Sequence, residues 1–72
     1  MNIKIRFGNH LKQLRSNNNL TQESLAELSN IDRSYISDIE RGVKNISLEK
    51  LEQLSKAFNL ELWELLKFNE EK

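Results

Sequence analysis

The sequence predicts an all-α fold, a compact five-helix bundle, on three observations. The 72-residue chain has no proline and only two glycines, so little in it interrupts a helix. Its apolar residues recur at helical spacing, beginning with Phe7, Leu11 and Leu14 at i, i+4 and i+7. Its length suits one domain, since domains usually need ~50 to ~200 residues.

The first helix is expected over about 5–17, with Phe7, Leu11 and Leu14 as its buried stripe. Asn17, Asn18 and Asn19 break it, because asparagine is second only to glycine in tolerating the left-handed conformation that ends helices. Thr21 is the N-cap of a second helix, 21–29, with Glu23 favourable in its first turn and Leu25, Ala26 and Leu28 on its inner side. Asn30 supplies the next sharp turn. Asp32 caps a third helix, 32–41, whose inner stripe is Ile36, Ile39 and the adjoining Glu40, and Gly42 ends it. Ser47 starts a fourth, 47–58, in which Leu48, Leu51, Leu54, Ala57 and Phe58 keep the helical period, and Asn59 closes it. A fifth, 61–68, turns Leu62, Leu65 and Leu66 inward. The domain is therefore expected over 1–68, with 69–72 a frayed, charged tail.

Composition narrows the function classes. Without cysteine there is no disulfide and no thiolate zinc site. No apolar run approaches the ~18 residues of a membrane span, and no signal-peptide core follows Met1, so a soluble, cytoplasmic protein is expected. A single histidine, His10, assigned to the solvent side of the first helix, leaves no catalytic or metal-binding set. No enzyme, cofactor, metal or small-molecule ligand is expected. Net charge is zero, which argues against nucleic acid, yet residues 1–45 hold seven Lys/Arg against five Asp/Glu, and 46–72 hold four against six. That mild polarity permits one face to meet phosphate and the other to meet protein.

Residues 21–41 carry most of the information. They read as two short helices joined by a tight turn, with small Ala26 permitting a close crossing, Asn30 taking positive φ, and Ile31 as an apolar plug. Opposite the Ile36/Ile39 stripe, positions 33, 34, 37, 38 and 41 offer guanidinium, hydroxyl and carboxylate groups, which hydrogen-bond base edges. A helix-turn-helix needs this arrangement, its second helix lying in the major groove.

The series Leu20-Thr21-Gln22-Glu23-x-Leu25-Ala26 followed by Ile36-Ser37-x-Ile39-Glu40-Arg41-Gly42 resembles the Cro/repressor-type (XRE), lambda-repressor-like helix-turn-helix family. The resemblance spans about 7–66 and includes Ser47-Leu48-x-x-Leu51 and Leu62-x-x-Leu65-Leu66. Asn19, Asn30 and Asn59 stand where the family commonly has glycine, and all three keep left-handed tolerance. The run from Asn30 to Arg41, with Asn45-Ile46-Ser47, is further similar to controller proteins of restriction–modification systems.

The resemblance implies a sequence-specific transcriptional regulator that binds double-stranded DNA as a homodimer on a palindromic operator. It implies base contacts from Arg33, Ser34, Ser37 and Asp38; bidentate arginine on guanine, the commonest specific contact, makes Arg33 the leading reader. Asp38 has two available roles, accepting from cytosine or orienting Arg33 or Arg41. Phosphate contacts fall to Thr21 and Gln22, where a helix N-terminus also favours an anion, and to Lys44 and Asn45. Tyr35 is open between phosphate contact and packing. Arg15 and Glu40 are implied to form a partly buried ion pair, and an unpaired carboxylate on the inner stripe would indeed be costly. Leu60, Trp63 and Phe68, with the latter two looking outward, are expected to form the dimer interface. The alternative is a protein-interaction module, an antitoxin or anti-repressor, that keeps the fold while its acidic half binds another protein.

Overall fold

A computed structural model describes residues 2–68. Its elements in chain order are α1 (Ile3–Asn17), α2 (Gln22–Ser29), α3 (Arg33–Glu40), α4 (Leu48–Ala57) and α5 (Leu62–Leu65), with no strand among the described residues. Three helix starts are closed by a side chain accepting the N–H three residues on: Asn2 from Ile5 at 3.0 Å, Thr21 from Ser24 at 3.0 Å, and Ser47 from Lys50 at 3.1 Å. Asp32 departs from expectation. It precedes α3 but makes no cap bond, because its carboxylate accepts from the Ser34 hydroxyl at 2.7 Å. The turns after α1, α2 and α4 each carry an asparagine at positive φ: Asn19 at 56°, Asn30 at 59° and Asn59 at 60°.

Eight side chains form the core: Phe7, Leu11, Leu25, Ile31, Ile36, Ile39, Leu54 and Leu65. Burying each such residue is worth ~1.5–3 kcal/mol before entropy is counted. Helix α3 packs against α1 and α2, while α4 packs against α2 and α5. The α1–α3 crossing requires Gly8, where a Cβ would run into the carbonyl oxygen of Ile39 and lie 3.0 Å from that of Glu40. After α3 the chain reverses at Gly42, whose φ of 78° disfavours any side chain.

Several expectations are corrected. Helix α5 ends at Leu65 rather than at 68. Phe68 does not look outward: it folds back, stacks on His10 with ring centroids 4.9 Å apart, and meets Phe7 edge-on at 6.0 Å. His10 is accordingly half-buried rather than solvent-facing, and its Nε2 lies 2.9 Å from the Leu65 carbonyl oxygen. Leu28 and Leu66, assigned inward, are 58% and 41% exposed. Leu48, which opens α4, is 74% exposed. The expected tail, 69–72, lies outside the described residues.

Candidate nucleic-acid interface

The turn between α2 and α3 is held by backbone and side chain together. Asn30 turns left-handed, the Ile31 N–H donates to the Ala26 carbonyl at 3.2 Å, and the Ile31 side chain is buried. Ser29, also buried, donates its hydroxyl to the Leu25 carbonyl at 2.7 Å. From α4, the Gln53 amide donates to the carbonyls of Ser29 at 3.0 Å and Asn30 at 3.3 Å. This bond ties α4 to the turn. Nothing local in the sequence marks Gln53, because the tie spans more than twenty residues.

With Ile36 and Ile39 buried, the opposite strip of α3 faces out. Arg33 and Ser34 are exposed, and Ser37 and Asp38 are half-buried. Arg33 forms no ion pair or hydrogen bond among the described residues, so its guanidinium fork is available. The Ser34 hydroxyl is engaged by Asp32. Asp38 accepts from Arg41 at 2.6 Å, so of the two arginines considered for it, the structure pairs it with Arg41.

Behind this strip lies a polar knot. Arg15 donates to Glu40 through Nε at 2.7 Å and Nη2 at 3.0 Å, and through Nη1 to the Leu20 carbonyl at 2.8 Å. Glu40 also accepts from the Gln22 amide at 3.1 Å. The Glu40 hydrogen bond raises the Arg15 pKa above its ordinary value, against the opposing effect of burial and with help from the Glu40 charge. One ion pair thus joins α1 to α3 and fixes Gln22 at the start of α2. Thr21, Gln22, Arg15 and Arg33 line one shallow depression, which gathers the leading base reader and two of the phosphate candidates.

The remaining phosphate candidates lie elsewhere. Tyr35 packs its ring against the core edge, and the ammonium of Lys44 sits 4.7 Å from the ring centroid. Asn45 is exposed in the loop before α4. A second ammonium, that of Lys50 in the first turn of α4, approaches the same ring at 5.6 Å. Lys50 was missed by sequence reasoning, its only signal being a basic residue one turn into a helix. Of the interface candidates, Trp63 is 64% exposed, Leu60 is half-buried, and Phe68 lies under the Arg6 guanidinium at 5.5 Å. Ile3, Phe7, Ile46, Leu51, Leu66 and Phe68 line an apolar groove. Among the described residues no cluster of three or more His, Cys, Asp or Glu could hold a metal ion, and no helix is long and apolar enough to cross a membrane.

Residues 11–65 match the helix-turn-helix family model. The chain is 46% identical over 68 residues to control protein C.BamHI of Bacillus amyloliquefaciens, covering 93% of this chain and 84% of that one. Its fold superposes with a TM-score of 0.82, at 44% identity, on the restriction–modification controller protein C.AhdI from Aeromonas hydrophila, covering 86% of this chain and 94% of the other. It also superposes, with a TM-score of 0.77 and 32% identity, on SinR, a master regulator of biofilm formation, in complex with DNA; that match covers 85% of this chain and 98% of SinR.

Proposed function

The chain belongs to the helix-turn-helix family, and from that premise we propose that it is a transcriptional regulator that binds duplex DNA sequence-specifically, as a homodimer on a palindromic operator. Its similarity to two controller proteins supports a role in controlling a restriction–modification system. Such work belongs in the cytoplasm. The carrying observation is the outward strip of α3: the unpartnered Arg33 fork is presented beside Gln22, on a helix anchored to the body by the Arg15–Glu40 pair.

In this reading Arg33 takes a guanine edge, with Ser34, Ser37 and Asp38 completing the base contacts. Thr21 and Gln22 hold one backbone phosphate, while Tyr35, Lys44 and Asn45 hold others. Trp63 and Leu60 meet their counterparts across a two-fold axis, with Phe68 supporting that end from inside. Residues 1–68 act as one DNA-binding domain, and no enzymatic step is assigned to it.

The decisive experiment is selection from a random duplex pool at near-physiological salt, with sequencing of the retained DNA. A palindrome with half-sites about one helical turn apart is expected. A pool that stays random overturns sequence-specific recognition and leaves the protein-partner reading, which the balanced net charge accommodates.

A further inference from the structure

The apolar groove brings together distant parts of the chain. Its hydrocarbon walls are Ile3 and Phe7 of α1, Ile46 before α4, Leu51 of α4, and Leu66 and Phe68 after α5. Ile3 and Leu66 remain exposed, so this surface meets water as it stands. The rest of the lining is Lys4, Lys44 and Asn45, two cations and an amide without a carboxylate. Neither lysine joins an ion pair among the described residues, where the pairs are Arg15–Glu40 and Arg41–Asp38. The Lys44 ammonium also rests 4.7 Å from the Tyr35 ring centroid, which restrains it at the groove.

Sites for small ligands combine apolar walls with a few polar groups that fix orientation. Here the walls suit hydrocarbon, and the charges suit an anion. A second copy suits them poorly. A two-fold contact sets one patch against itself, which would gather the lysines of both copies with no carboxylate between them. We infer that the groove is a binding site for a short-chain anionic amphiphile, a carboxylate with an alkyl tail. The tail lies along Phe7, Leu51 and Phe68, and the carboxylate accepts from Lys4, Lys44 and the Asn45 amide. The groove encloses about 150 Å³, which sets the tail length. A dry protein cavity of about that size holds benzene, so about six carbons fit. This site stands apart from DNA recognition, and its test needs no DNA.

The test is an amide-resolved NMR titration of the full chain with octanoate, octanol and octylammonium, each below its micelle-forming concentration. Octanoate is expected to shift the Ile3, Ile46 and Leu66 signals saturably, with octylammonium the weakest of the three. Affinity should rise about fourfold per methylene from butanoate to hexanoate, as burial of one CH2 requires, and level off beyond octanoate. Lys4→Gln, at an exposed position, should weaken octanoate about two- to fivefold and leave octanol unchanged. Lys56→Gln, exposed in the last turn of α4, should change neither. No saturable shift, or equal affinity for all three head groups, overturns the site. Groove signals that follow protein concentration and ignore octanoate assign the groove to a second copy, which overturns it as well.

Discussion

Arg33 and Glu40 sit seven residues apart on one helix and do opposite work. Arg33 keeps its guanidinium free at the surface, whereas the Glu40 side chain is only 5% exposed and accepts from two residues on other helices. Arg33→Ala is therefore expected to relax sequence preference, weakening operator binding by ~1–3 kcal/mol while leaving random-duplex affinity roughly intact. Competition binding with both duplexes measures this, and uniform weakening on all sequences would remove Arg33 from the base readers. Glu40→Ala strands a largely buried guanidinium and is expected to cost ~3–5 kcal/mol of folding stability, read from denaturant midpoints. Because the Arg15 pKa is raised in the folded state, its share of that stability is complete below the ordinary arginine value and is lost only as pH rises through the folded one. Melts across neutral pH should accordingly show no step from Arg15.

At the scale of elements, the α1–α3 crossing is the least forgiving contact. Gly8→Ala puts a methyl against the Ile39 and Glu40 carbonyls, which are backbone atoms that cannot swing aside. Overpacking of this kind costs ~1–3 kcal/mol, far outweighing the gain in helix propensity, so a lower thermal midpoint is expected. A midpoint unchanged or raised would mean that the two helices separate without loss. The helices themselves were largely legible, because apolar spacing and turn residues act over four positions or fewer. Asn19, Asn30 and Asn59 all take the left-handed conformation expected of them. Helix α5 was not legible at its end: the apolar period continues through Phe68, but that ring gains more by turning back onto Phe7 and His10 than by extending the helix.

The described residues span 33 × 23 × 23 Å, a size at which two copies related by a two-fold axis can present their α3 helices to successive major grooves, ~34 Å apart. The exposed Trp63 indole lies at the end proposed to join them. Trp63→Glu is expected to leave the fold intact, since the ring is mostly in water, and to shift the sedimenting species to a monomer. Operator binding should then become strongly dependent on protein concentration. A dimer unchanged by this substitution would move the interface elsewhere, with the apolar groove of Ile3, Leu51 and Leu66 the next surface to alter.

Local chemistry and spacing fix the helical order, the caps at Thr21 and Ser47, the left-handed turns and the strip of α3 that faces out. Each depends on backbone torsions and on side chains within one or two turns, where chemistry and spacing suffice. Tertiary structure alone decided what meets across the bundle. It joined His10 to the Leu65 carbonyl 55 positions away, pairing the lone histidine with a helix end, and turned Phe68 inward to cover it. It also brought Lys50 of α4 to the Tyr35 ring of α3 and tied Gln53 to the turn before that helix. These partners follow from how the packed helices cross, which no local stretch of chain encodes.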